Sequence, residues 1–443
     1  MKVDAIKSLL FIALFLFVLV PGVVFSQGSS NTYVQQEVIV RLNQASDLAA
    51  IIQQYGLTAT PLGQIGDRPI YRLRVPNGTP VDHIVANLQN DSMQRVAMAE
   101  PNYILGTPGA GNVPWSMGGS WSIGGSWSIG GSIKGTAVQW MRSRINLDAA
   151  QLITKGQGVK IAVIDTGIDP QHPIFAGRLL TGYDFVDNDS DPTEVGSPHM
   201  GAYGHGTHVS GIIAQVAPEA KIMPLRVLDE NGVGDVWRLA NALIYACNPD
   251  GDTSTNDGVD IINLSLGTPE RAALIDKIIQ AATNDGTFPD DPDLPLIGHP
   301  GILVVAAAGN TGDGTRIYPA ASEEIPGPHF NSPEEAQGLI AVGASNSADT
   351  VATFSTRGFW VDLMAPGERI VSSIPGGRYG VWRGTSMAAP IVSGVAALVH
   401  KRYPELTPHD IFEHIKRTSV WCPGPISRRV DAGRAVTMTP MHP

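Results

Sequence analysis

The spacing of apolar residues changes character along the chain. Residues 37–42, 69–75 and 94–99 are short aliphatic or β-branched runs, and the stretches at 46–55 and 80–90 carry apolar positions at helical intervals. Strand, helix, strand, helix, strand in so short a segment predicts a small α+β module. From residue 139 onward, the runs at 159–164, 221–228, 260–266, 302–308 and 339–344 show little polar alternation, which a strand tolerates when both of its faces are covered. Helical patterning at 207–215, 235–246, 269–285, 386–403 and 408–418 supplies the cover. The predicted fold class is α/β: a three-layer, mostly parallel sheet with helices on both faces, preceded by the small α+β module. In such sheets, functional groups gather at the carboxyl edges of the strands.

Two segments fit neither pattern. Residues 106–134 are dominated by Gly, Ser, Pro and Trp and contain the hexads WSMGGS at 115–120 and WSIGGS at 121–126 and 127–132. A glycine pair in every hexad is poor material for a packed core, so the segment reads as a flexible linker. The alternative is an adhesive or substrate-like stretch displaying Trp115, Trp121 and Trp127. Residues 1–26 open with Lys2 and Lys7, run through an apolar stretch at 9–20, break at Pro21-Gly22 and end in Val24-Phe25-Ser26, the pattern of a secretory signal peptide. That apolar stretch falls short of the ~20 residues a spanning helix needs, so a secreted, extracellular protein with no stable membrane span after signal cleavage is expected.

Composition narrows the partners. With 43% hydrophobic and 16% charged residues in 443, the chain can bury one large core and one smaller one. A formal net charge of -11 would repel a polyanion, which argues against nucleic acid. Cys247 and Cys422 are the only cysteines. They exclude a disulfide framework, leave one long-range bridge open, and sit in no Cys/His constellation suited to thiol chemistry.

Four motifs fall at strand edges or helix mouths. AVIDTGID at 162–169 runs an apolar strand into Asp165, a carboxylate that needs hydrogen bonds if buried, from an imidazole N–H or from a local turn. GHGTHVSG at 204–211 sets His205 at the mouth of a helix of small residues. His205 and His208 are three apart with Gly206 and Thr207 between them, whereas a helical zinc pair is four apart with a Glu inside. GTSMAAPIVSGVAALV at 384–399 places Ser386 at a helix start, where the helix dipole suits a developing negative charge. Pro390 is tolerated in that first turn. VVAAAGN at 304–310 ends a strand at Gly309 and presents Asn310, whose amide could donate to an oxyanion. Each alone could be a cap or a turn. Together they supply an orienting acid, a base, a nucleophile and an oxyanion donor, with the triad in the chain order Asp, His, Ser.

With INLSLG at 262–267 added, these motifs resemble those of the subtilisin-like serine proteases, in that family's order and over about the last three hundred residues. The resemblance implies Asp165 as orienting carboxylate, His205 rather than His208 as general base, Ser386 as nucleophile and Asn310 as oxyanion donor. It implies polypeptide substrates bound as an added strand between Ser265-Leu266-Gly267 and Gly232-Val233-Gly234. Ala307, Ala308 and Gly309 would wall the specificity pocket. Thr311 follows Asn310, so no acid is evident there to select Lys or Arg, and broad specificity with an apolar or large P1 side chain is expected.

The early module, ending in AEPNYI at 99–104, resembles the family's inhibitory propeptide, which implies a ferredoxin-like domain acting as an intramolecular inhibitor and later cut off by the enzyme itself. The organisation expected is signal peptide 1–26, propeptide 27–105, linker 106–138 and peptidase domain 139–443, working as a monomer. No cofactor is required for the chemistry. A structural calcium is possible at DFVDNDSDP (184–192), which offers Asp187, Asp189 and Asp191 at alternate positions and resembles a metal loop of the thermitase-like branch. A solvated acidic turn would look the same, and Ile174 stands where many relatives carry an acidic ligand. Two rival readings are weaker. An adhesive protein on a degenerate scaffold would not need all four catalytic positions filled, and an α/β-hydrolase esterase would carry a G-x-S-x-G elbow that GTSMA lacks.

Overall fold

Short apolar strands closed by two amphipathic helices build the N-terminal module: β1 (Tyr33–Leu42), α1 (Leu48–Tyr55), β2 (Gly63–Gln64), β3 (Ile70–Arg74), α2 (Val81–Gln89) and β4 (Val96–Gly106). The computed structural model describes residues 32–107, 134–252, 255–284, 301–323 and 338–441. The module's strands pair antiparallel in the order β2-β3-β1-β4, the β-α-β-β-α-β plan of a ferredoxin-like fold. Val38, Val40 and Leu42 face Ile51, Ile84, Val85 and Leu88 in its core. Strand β2 has no counterpart in the sequence reading, because two residues are too few to show a period.

The second part opens with α3 (Lys134–Ala137), α4 (Trp140–Arg144) and α5 (Leu147–Gln151). There follow β5 (Lys160–Asp165), β6 (Tyr183–Asp184), α6 (His205–Val216), β7 (Lys221–Arg226), β8 (Val233–Asp235), α7 (Val236–Cys247), β9 (Ile261–Leu264), α8 (Ala273–Thr283), β10 (Leu303–Ala307) and β11 (Leu339–Ser345). The chain ends with β12 (Leu363–Pro366), β13 (Ile370–Ile374), β14 (Arg378–Trp382), α9 (Thr385–Arg402), α10 (Pro408–Thr418), β15 (Val420–Trp421), β16 (Arg428–Arg429) and α11 (Ala432–Thr437). The main sheet runs β15-β16-β12-β11-β10-β9-β5-β7-β6, parallel except for the β15–β16 pair.

Both faces of this sheet are dry. Along β5, Ile161 and Val163 pack into the layer shared with α6 and α9, while Ala162 and Ile164 pack into the layer shared with α7 and α8. Val305 and Val304 of β10 divide the same way. Strand geometry sends neighbouring side chains to opposite faces, so covering both produces unbroken apolar runs. Each aliphatic side chain so buried contributes about 1.5–3 kcal/mol. Helices α6 and α9 approach closely because their contact is built from small residues: a Cβ on Gly394 would lie 2.6 Å from Val216 Cβ.

The hexad repeats and residues 1–26 lie outside the described residues. At the edges of the stretch read as a linker, ordered elements continue. Gly106 still belongs to β4, Thr107 is hydrogen-bonded to Gly232, and α3 begins at Lys134. Among the described residues, no helix is long and apolar enough to cross a membrane.

Candidate active site

Asp165 is the last residue of β5 and is fully buried. Its Oδ1 accepts a backbone bond from Thr166 N–H at 2.7 Å and lies 2.6 Å from His205 Nδ1. A buried carboxylate is tolerable on these terms, and the pairing fixes the imidazole with Nδ1 toward the acid. His205 opens α6, and the following Gly206 is obligatory in space: a Cβ there would overlap the Gly167 carbonyl oxygen.

His208 takes no part. It is buried, stacks on Trp382 at 4.5 Å and 4° between ring planes, and burial pushes its pKa down to about 3, so it stays neutral. The turn after β5 therefore meets only the first of the two histidines, and no zinc pair is formed.

Ser386 sits in the first turn of α9, two residues after Gly384. Its hydroxyl donates to the Ser265 carbonyl at 3.2 Å, and Ser265 Oγ donates back to the Ser386 carbonyl at 3.0 Å. Asn263 Nδ2 donates to Ser265 Oγ at 3.0 Å, and Ser393 Oγ donates to Asn263 Oδ1 at 2.9 Å. This buried chain of bonds locks the serine turn to the end of β9.

Asn310 is held with equal definition. Its Oδ1 accepts from the Thr385 N–H at 2.9 Å and from Thr385 Oγ1 at 3.0 Å. Those donors identify the anchored end as the amide oxygen. The amide NH2 is thereby directed elsewhere. A Cβ on Gly384 would lie 3.2 Å from Asn310 Nδ2 and 3.6 Å from Ser386 N. Two N–H donors thus flank the space that glycine leaves open, which is the arrangement an oxyanion needs. The expected pocket residues lie just before: Ala307 and Ala308 are buried at the end of β10, one in each core layer, and Gly309, at φ +102°, turns the chain so that its N–H meets Thr385 Oγ1 at 3.1 Å.

The end of the N-terminal module reaches into the second part of the chain, to β8 and Gly267. Strand β4 leaves its own sheet and pairs antiparallel with β8, Ile104 opposite Asp235, Leu105 opposite Gly234 and Gly106 opposite Val233. On its other side, Gly106 exchanges backbone bonds with Gly267 at 3.0 and 3.1 Å, and Thr107 N–H donates to Gly232 O at 3.0 Å. The segment lies between the two stretches expected to hold a substrate strand. It runs antiparallel to Gly267, so its direction leads toward the Ser265 end of that stretch. Two and four residues upstream, side chains of β4 close the N-termini of neighbouring helices. The Glu100 carboxylate accepts from Ala273 and Leu274 N–H at 2.7 and 3.2 Å, and Asn102 Oδ1 accepts from Trp237 N–H at 3.0 Å. Burial raises the Glu100 pKa to about 7.

The acidic loop is tied down by protein partners. Asp187 and the buried Asp184 are both ion-paired to Arg226, at 2.6 and 2.5 Å. Asp189 and Asp191 instead accept local bonds from Asp191 N–H and from Thr193. Among the described residues, no group of three metal-ligating side chains converges. Cys247 and Cys422 are buried free thiols, and burial pushes that of Cys247 up to about 12.

Glu194, Glu100, Asn102 and Trp382 escaped the sequence reading as individual site residues. Glu194 stands in a loop whose composition suggests solvent, Glu100 and Asn102 lie inside AEPNYI, which reads only as the propeptide's ending, and Trp382 has no motif signal of its own.

Comparison with known proteins agrees with this geometry. The profile of the Subtilase family matches residues 156–437, and that of the Fervidolysin N-terminal prodomain matches residues 21–102. The thermophilic serine proteinase of Bacillus sp. (strain AK1) is 35% identical over 383 residues, covering 83% of this chain and 79% of the relative. Thermitase of Thermoactinomyces vulgaris is 35% identical over 271 residues, covering 59% of this chain and 81% of the relative. Among solved structures, fervidolysin from Fervidobacterium pennivorans, a keratinolytic enzyme related to subtilisin, aligns with a TM-score of 0.70 at 22% identity over 92% of this chain, which spans 62% of that one. From the strand-edge motifs, the module paired with β8 and Gly267 and these matches together, the chain belongs to the subtilase family of serine endopeptidases, made with an N-terminal prodomain.

Proposed function

We propose that this chain is a secreted endopeptidase that works through Asp165, His205 and Ser386 and matures by cutting itself from its prodomain. The Ser386 hydroxyl, at rest on the Ser265 carbonyl, rotates to His205 Nε2 and gives up its proton as Oγ attacks the peptide carbonyl carbon. Asp165 holds the imidazole by Nδ1–H and stabilises the imidazolium. The carbonyl π-electrons move to the oxygen, which is received by Asn310 Nδ2–H and the Ser386 N–H. Collapse of the tetrahedral intermediate expels the amine, protonated by His205, and leaves an acyl-Ser386. Water, activated by the same imidazole, then releases the acid.

The observation that carries this reading is the backbone ladder of residues 104–107, which occupies the cleft as a peptide substrate would, together with the 2.6 Å Asp165–His205 pair beyond it. Gly232, Val233, Gly234, Ser265, Leu266 and Gly267 bind extended polypeptides, and Ala307, Ala308 and Gly309 favour an apolar or large P1 side chain. The division into signal peptide 1–26, inhibitor 27–105, connector 106–138 and monomeric peptidase domain 139–443 belongs to the same proposal, and the chemistry needs no cofactor. The deciding experiment is labelling of the processed protein with a fluorophosphonate. Labelling that vanishes in Ser386→Ala supports the assignment, and an unlabelled wild type overturns it.

A further inference from the structure

Helix α6, which carries His205, begins without a side-chain cap: its N-cap is Gly204, at φ +87°. The His205 N–H donates to Ala202 O at 2.9 Å, and the N–H groups of Gly204 and Thr207 on either side of it converge on one carboxylate from a distant loop. Glu194 Oε2 accepts from Gly204 N–H at 3.0 Å. Its Oε1 accepts from Thr207 N–H at 3.1 Å, Thr207 Oγ1 at 3.2 Å and Thr166 Oγ1 at 3.0 Å. The two hydroxyls are themselves acceptors, Thr166 Oγ1 from Gly206 N–H and Thr207 Oγ1 from Asp169 N–H, both at 2.9 Å. Each hydroxyl proton is therefore committed to Glu194. The carboxylate receives four donors, three on Oε1 and one on Oε2, and a proton on Oε2 would compete with the Gly204 N–H there.

The backbone of Glu194 is fixed as well. Its N–H donates to Ile168 O and Ile168 N–H donates to Pro192 O, both at 2.9 Å. Glu194 thus grips Thr166, the neighbour of Asp165, and Gly204 and Thr207 on either side of His205. Only 9% of the residue is exposed. Burial raises its pKa, and the bonds from Gly204 and Thr207 pull it back down. Asp165 from β5 and Tyr203 from the loop before α6 are the titratable groups that share its field.

Resting on the triad assignment above, we propose that Glu194 is a positioning residue for proton transfer, fixing Asp165 and His205 in one frame and placing a negative charge at the start of the helix that must carry the imidazolium. Misplacement of reacting groups by about 1 Å can cost about 10²-fold in rate. Glu194→Gln keeps the shape, but removes the charge and points an NH2 at N–H donors. Per active site counted by fluorophosphonate, it should lower kcat by about 10²-fold with little change in KM. It should also move the acid limb of the kcat profile to lower pH, because a nearby negative charge that favours the imidazolium is gone. Glu194→Asp, which retains the charge, should keep the acid limb near its wild-type position.

If Glu194→Gln melts at lower temperature but keeps wild-type kcat per site and an unmoved acid limb, the residue is merely structural and the proposal is overturned. Should that variant not fold, Thr166→Val and Thr207→Val each cut one arm of the web, and unchanged kcat per site in both overturns it too. A wild type that takes up no fluorophosphonate removes the triad reading itself, whereas a labelled wild type with an indifferent Glu194 removes only this inference.

Discussion

Glu100 makes the prodomain's hold on the enzyme depend on pH. In the complex its carboxyl is buried at the start of α8, and its pKa rises from 4.5 to about 7, chiefly through burial against which the Ala273 and Leu274 bonds work. In a released prodomain the same group faces water and returns to its ordinary value. A group whose pKa is higher when bound takes up a proton on binding. Below pH ~4.5 it is protonated in both states and the grip is complete. Between there and about 7 the grip weakens, and above 7 it is flat. At about 1.36 kcal/mol per unit, the full span is on the order of 3 kcal/mol, or about 10²-fold in the dissociation constant.

The perturbation is Glu100→Gln, which keeps the length and an acceptor oxygen but cannot titrate. The assay is the processed, non-covalent complex, diluted in series at several pH values, with free active sites counted by fluorophosphonate. Wild-type complex should release enzyme at progressively higher concentration as pH rises from ~4.5 to ~7, and the variant should lose that dependence. Asp276 and Glu270 also neighbour the interface, and the comparison at fixed sequence elsewhere cancels them. Equal pH dependence in wild type and Glu100→Gln would refute the reasoning. Asn102→Ala offers a control: it removes the bond to Trp237 N–H, a neutral interaction of ~1 kcal/mol, and should weaken the complex evenly at every pH.

Three further outcomes follow from the geometry. Asn310→Ala should lower kcat by about 10²–10³-fold with KM nearly constant, a magnitude measured in a subtilisin, a member of this same family, rather than worked from this chain. Steady-state kinetics on a peptide substrate checks it, and a changed KM at constant kcat would remove Asn310 from the oxyanion site. Gly206→Ala should fail to yield a processed enzyme, since its Cβ would overlap the Gly167 carbonyl oxygen, and a variant that melts within a few degrees of wild type contradicts the packing. The mature N-terminus should lie beyond Thr107, because residues 104–107 lead toward the Ser265 end of the stretch they pair with, as the acyl side of the bond to be cut would. Sequencing that finds a start before that point would mean the segment in the cleft is not placed as a substrate.

What could be read in the sequence was whatever follows from period and local chemistry. Fully apolar runs announced β5, β9, β10 and β11 because a central parallel strand has no wet face. Asp165, His205, Asn310 and Ser386 were visible because each sits where a strand ends or a helix begins, with the glycines that such tight places require. The short strands β12 to β16 left no comparable trace, since two to five residues near an edge or in a hairpin carry little alternation. Glu194 was illegible for a deeper reason. An acidic residue in an acidic loop is normally solvated, and the loop's composition carries no mark of the fold that brings it under α6. The demand for it was nonetheless present in the sequence: a helix that begins GHGTH has no Ser, Thr, Asp or Asn at its N-cap to satisfy its first N–H groups. An uncapped helix carrying the proposed base implies a capping group supplied from elsewhere, and a search for that missing acceptor would have directed attention to the carboxylates between Asp165 and His205.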